Sequence, residues 1–210
     1  MRLRPVPPLL PDVIRAAIRV CDMTEYSPVG HCPSCGGTLS GYDTRTKRFA
    51  VLCDADGDWP VEVIIHRAYC RECGRIVVPE EPFYPGTRIG SPIVDLCTTL
   101  ASSGSHGNVT AFLDRLGVKV DRWSVRSYCH LSIPAPKTIS MFGMQLPASI
   151  IVLSSLAGDI AQGQKARGTD VLAACNFPSR YLGVTFSGMI FSSLFDLSAL
   201  VIFLNDLLMV

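Results

Sequence analysis

Cys32-Pro33-Ser34-Cys35-Gly36-Gly37 and Cys70-Arg71-Glu72-Cys73-Gly74-Arg75 decide how this chain is read. Each is a Cys-x-x-Cys-Gly knuckle, and 34 residues separate Cys35 from Cys70. Two residues between cysteines let one tight turn aim both sulfurs at one ion, and a glycine after the second Cys lets the backbone curl under them. Two such pairs predict a structural four-cysteine site for Zn2+, with Cys32, Cys35, Cys70 and Cys73 as ligands. A redox pair would need a low-pKa thiol at the start of a helix, and neither knuckle precedes a helical pattern. His31 is read as a surface residue and His66 as a strand residue. Cys53 is read as an inward strand position.

Between the knuckles the sequence is β-rich, with strands expected over 38–42, 48–53 and 61–69. Asp54-Ala55-Asp56-Gly57-Asp58 reads as a hairpin loop with Gly57 at positive φ. It lacks the 12-residue register, closed by a bidentate Glu, of a calcium loop. Residues 30–80 therefore read as a small zinc ribbon. Ahead of it, residues 1–29 form a Pro-rich arm and a short amphipathic helix capped by Asp12, with Val13, Ala16, Ala17 and Val20 on one face. Behind it, four prolines and two glycines between Pro79 and Pro92 mark a linker over 81–92.

Residues 93–133 read as a helix-turn-helix. Apolar residues at 93, 96, 97 and 100 make a helical stripe. A turn over 103–107 follows, then a helix capped by Asn108 and ended by Gly117. A third helix starts at Asp121. This is the element order of a DNA-binding unit. Its third helix would place Arg122, Ser124, Arg126 and Ser127 where base edges and phosphates are reached. Trp123 and Tyr128 read as packing residues. Net charge is only +1, which excludes a global basic field, so phosphate binding rests on local clusters. These are Arg45, Lys47 and Arg48 in the ribbon, and Arg115, Lys119, Arg122 and Arg126 around the third helix. His106 and His130 have no Ser or Cys nucleophile with a supporting carboxylate placed beside them.

The ribbon, the segment Tyr84-Pro85-Gly86-Thr87-Arg88-Ile89-Gly90-Ser91-Pro92-Ile93, and Leu116-Gly117-Val118-Lys119-Val120-Asp121-Arg122-Trp123-Ser124-Val125-Arg126-Ser127-Tyr128 together resemble the front of insertion-element transposases, especially archaeal ones. The resemblance covers roughly residues 30–130. It implies a zinc ribbon followed by a helix-turn-helix that docks on double-stranded DNA through residues 120–128. The family's catalytic part, three spaced acidic residues holding two metal ions, does not carry over. After residue 130 the acidic residues are Asp159, Asp170, Asp196 and Asp206, in a stretch too short and too apolar for that domain.

Of the chain's 19 basic and 18 acidic residues, only Lys165, Arg167 and Arg180 and those four aspartates follow residue 137. Residues 138–158 carry no charge and are long enough for a membrane span. Pro147 and Gln145 argue instead for a loop and then a helix over 147–156, within a helical region spanning 134–180, with a further helix over 170–176. The tail, 181–210, is apolar around Asp196. It admits three readings: a membrane anchor, a buried or dimer-forming helical hairpin, and the by-product of a shifted reading frame. The proline-broken start lacks an apolar signal core, and the scattered cysteines fit a reducing cytoplasm.

The expected fold is α+β: a zinc ribbon, a helix-turn-helix and a mostly helical apolar C-terminal region. The expected function is zinc-dependent binding of double-stranded DNA without catalysis, as a transposase-like remnant or regulator. A homodimer and a membrane contact through 181–210 are the further partners considered. The alternative is a membrane-anchored zinc-ribbon module with protein partners. An active nuclease using Asp159, Asp170 or Asp196 is a third reading.

Overall fold

Two long strands dominate the front of the chain. In a computed structural model, which describes residues 6–102, 104–141, 143–160 and 164–175, β2 (Leu39–Asp54) and β3 (Gly57–Cys70) form one antiparallel hairpin. The three shorter strands expected here merge into these two. Asp54 pairs with Gly57, whose φ of 127° closes the expected hairpin turn. β1 (Thr24–Tyr26) runs parallel to β3 at Val63–Ile65, and β4 (Ile76–Val77) antiparallel to it at Ala68 and Tyr69. Because β2 occupies one edge of β3 throughout, β1 and β4 share the other.

Register breaks at Tyr42 and Phe49 give β2 two bulges. The second turns the Phe49 ring fully into the core, edge-on to Phe83 with ring centres 6.0 Å apart. Residues 81–92, read as a linker from their prolines, lie against this core. Phe83 is buried, and the Gly90 N–H donates to the Phe49 carbonyl at 2.8 Å.

The helices are α1 (Leu10–Arg19), α2 (Ser91–Ala101), α3 (His106–Arg115), α4 (Arg122–Cys129), α5 (Ala148–Asp159) and α6 (Gly168–Ala174). The first begins two residues earlier than expected, because Pro11 is tolerated in an opening turn where its missing N–H costs nothing. Its buried face is therefore Leu10, Ile14, Ala17 and Ile18, and Asp12 pairs with Arg15 at 2.6 Å instead of capping. α3 also starts earlier than read: the Ser105 hydroxyl, not Asn108, is its cap, accepting the Asn108 N–H at 3.4 Å. Where a loop was expected before Pro147, β5 (Thr138–Met141) and β6 (Met144–Pro147) form a second hairpin, with Gly143 at φ 71° in its turn. One apolar core joins residues of all six helices with β2, β3 and β6. A satellite of Cys32, Cys70 and Val77, with Leu39 against it, sits under the knuckles.

The fold class is thus α+β. Among the described residues no helix is long and apolar enough to cross a membrane. The expectations for 181–210, and the end of the helix at Asn176, lie outside the described residues.

Candidate metal centre and the exposed basic helix

Each knuckle is built by the same two backbone hydrogen bonds. At the first, the Gly36 N–H donates to the Cys32 carbonyl at 2.8 Å and the Cys32 N–H to the Gly37 carbonyl at 2.9 Å. At the second, the Gly74 N–H donates to the Cys70 carbonyl at 3.0 Å and the Cys70 N–H to the Arg75 carbonyl at 2.9 Å. Gly36 and Gly74 sit at φ 72° and 70°, the left-handed region in which a glycine lets the backbone curl under the sulfurs. The first knuckle precedes β2 and the second ends β3, so the hairpin register, with Leu39 opposite Cys70, brings them face to face.

The four sulfurs lie within 4.8 Å of one another. Cys32 faces Cys73 at 3.7 Å, and Cys35 faces Cys70 at 3.5 Å. Four sulfurs about 2.3 Å from one tetrahedral ion are separated by about 3.8 Å, so the spacing fits a single ion at the centre. Cys32 and Cys70 are buried, and Cys35 and Cys73 are exposed. Among the described residues this is the one group of His, Cys, Asp and Glu close enough to hold a metal.

Backbone dipoles prepare the site for thiolate. The Ser34 N–H, seconded by that of Cys35, holds the Cys32 thiol down to about 6 against its burial. Cys70 also receives N–H groups, from Cys73 and Glu72, that act to lower it. Burial and the facing thiols of Cys35 and Cys73 nevertheless push it up to about 12. Four negative sulfurs this close cannot coexist without a cation, and a divalent ion held between them would supply that charge.

Sequence reading missed Glu72. Its carboxylate accepts the Thr38 hydroxyl at 2.8 Å and lies 3.4 Å from the Cys70 sulfur, tying the second knuckle to the strand that leaves the first. A Cβ on Gly37 would overlap the Glu72 carboxylate, a contact made across the two knuckles that the sequence pattern does not mark.

The expected nucleic-acid contacts fall into two groups. Lys47 pairs with Glu81 and covers the Phe83 ring. Lys119 pairs with Asp58, which raises its pKa. Arg45 reaches Asp43 at 3.6 Å, while Arg48 is exposed. Around α4 the picture is different. α3 ends in a Schellman motif, with the Val118 N–H on the Leu113 carbonyl at 3.0 Å, the Gly117 N–H on the Asp114 carbonyl at 3.0 Å, and Gly117 at φ 77°. The next residues join β2, through the Cys53 N–H to the Gly117 carbonyl and the Lys119 N–H to the Val51 carbonyl, both 2.9 Å. This anchors the start of α4 to the sheet.

Asp121 then caps α4, accepting the Ser124 N–H at 2.9 Å and its hydroxyl at 2.5 Å. Ser124 is thereby half-buried and engaged in the cap. Val125 and Tyr128 turn inward, and Arg122, Arg126 and Ser127 are exposed. Tyr128 packs as expected. Trp123 does not: it is 76% exposed, because it lies two positions before Val125 and so on the opposite side of the helix.

Compared with protein-family models, curated proteins and solved structures, the chain finds no match.

Proposed function

We propose that this protein binds double-stranded DNA without catalysing a reaction on it, in the manner of the zinc-ribbon and helix-turn-helix front of the transposases it resembles. Zinc is the ion we assign to Cys32, Cys35, Cys70 and Cys73, since four thiolates at tetrahedral spacing suit it best. In this reading the metal is structural, closing the open end of the hairpin on which α4 is mounted. The observation that carries the reading is the outward face of α4. It presents Arg122, Arg126 and Ser127 to solvent from a helix whose opposite side is locked into the core by Val125 and Tyr128. Two guanidiniums on a short, capped, rigid helix fit the role of a groove-entering element. Arg45 and Arg48 would add phosphate contacts from β2, while Lys47 and Lys119 would have to leave Glu81 and Asp58 to do so.

The test is fluorescence anisotropy on a labelled duplex across a salt series. Wild type should bind with an affinity that falls steeply with salt. An Arg122→Ala/Arg126→Ala variant should bind more weakly, with the log–log salt slope reduced by about 2, since each lost phosphate contact removes about 0.9. Equal affinity and equal slope in wild type and variant would refute the reading.

A further inference from the structure

Resting on the DNA-binding reading, the geometry points to Trp123 as a specificity-determining residue: we infer that its indole reads the C5-methyl group of thymine in the major groove.

The observation is the waste it would otherwise be. An indole is among the largest apolar surfaces a side chain offers, yet Trp123 is 76% exposed on a helix that had Val125 and Tyr128 to bury. It stands at the second position of α4, directly after Arg122 and the Asp121 cap, in the turn from which a groove-entering helix reaches base edges. The Arg126 guanidinium lies 5.9 Å from its ring centre, and the exposed Arg122 directly precedes it on the helix.

Charge and area select the occupant. The two arginines suit a polyanion. Of the other apolar residues of α4, Val125 and Tyr128 are buried and Cys129 is half-buried, so what the helix itself presents is one large ring, far below the ~800 Å² per partner that a stable protein interface needs. Within a major groove, base edges offer hydrogen-bond donors and acceptors and one apolar group, the thymine methyl. An indole N–H is a single donor, and the rest of the ring is apolar, so the complementary feature is that methyl. Arg122 and Arg126 would hold the phosphates on either side and set the depth at which the ring enters.

Replacing thymine with uracil removes the methyl and nothing else. The full chain, loaded with zinc, would be titrated against a random A·T-rich duplex pool and against the same pool made with uracil. Wild type should bind the uracil pool about fourfold more weakly for each methyl contacted, the factor expected for withdrawing one methyl-sized group from an apolar contact. Trp123→Ala, which removes an exposed side chain and should leave the fold intact, should bind both pools equally and the thymine pool less well than wild type. If wild type binds both pools alike while Arg122→Ala/Arg126→Ala still weakens binding, this inference falls and the DNA-binding reading stands. If the folded protein binds neither pool, both fall.

Discussion

Asp95 lies 5% exposed in α2, accepting the Tyr84 hydroxyl at 2.9 Å. Burial raises its pKa to about 6, and the Tyr84 bond only partly opposes this. An unfolded aspartate titrates at about 4, so the folded state holds the proton more tightly. The sign follows from linkage: Asp95 costs nothing below about pH 4, and stability is lost as pH rises from about 4 to about 6 and then levels off. Asp95→Asn keeps an acceptor for Tyr84 and cannot ionise. It should therefore be more stable than wild type by on the order of 2 kcal/mol at about pH 8, with most of that gain absent at about pH 4. Urea unfolding at the two pH values checks this, and a gain independent of pH would contradict it.

Among elements, the bulge at Phe49 decides how the hairpin meets the helices, and Gly90 is its counterpart. A Cβ on Gly90 would overlap the fully buried Phe49 ring. Its φ of −58° is ordinary for any residue, so the obstacle is purely steric. Gly90→Ala should destabilise by about 1–3 kcal/mol. Gly107→Ala, in α3 with open space around it, should stabilise by up to about 1 kcal/mol. Denaturant midpoints of the two variants should move in opposite directions, and a stabilised Gly90→Ala would show that the ring is free to yield.

Gly90 also shows where reading from sequence stops. The knuckle turns were legible because Cys-x-x-Cys-Gly specifies a local conformation, and the Asp121 cap and Gly117 stop because each acts within one turn of its helix. Residue 90 was read as loop punctuation because its constraint comes from Phe49, far back in the chain. The hairpin at Thr138–Pro147 was missed because its short strands look like a loop when prolines flank them. The start of α3 was misplaced because Ser105 and Asn108 are equally good caps, and packing of Val109, Phe112 and Leu113 chose between them. Trp123 reads as a packing residue, although its helical phase relative to Val125 places it on the other side of the helix, where it is exposed.

At the scale of the whole molecule, the four-cysteine group is placed to act as a clasp at the open end of the β2–β3 hairpin. Among the described residues only Val77 and Leu39 pack with Cys32 and Cys70 there, too small a cluster to hold two loops by apolar burial alone. Without an ion, thiol contacts such as Cys32 to Cys73 and Cys35 to Cys70, and the Glu72 bond to Thr38, are among what is left to join the two knuckles. The rest of the sheet shares the larger core with the helices, so metal removal should loosen this end more than the other.

The most direct measurement is elemental analysis of the purified full chain beside a Cys32→Ser/Cys70→Ser variant, with thermal unfolding of both. The account requires one zinc per wild-type chain, its absence from the variant, and a lower Tm for the variant and for chelator-treated wild type. A folded wild-type chain that carries no zinc, takes up none when it is supplied, and melts at the same temperature as the variant would contradict it.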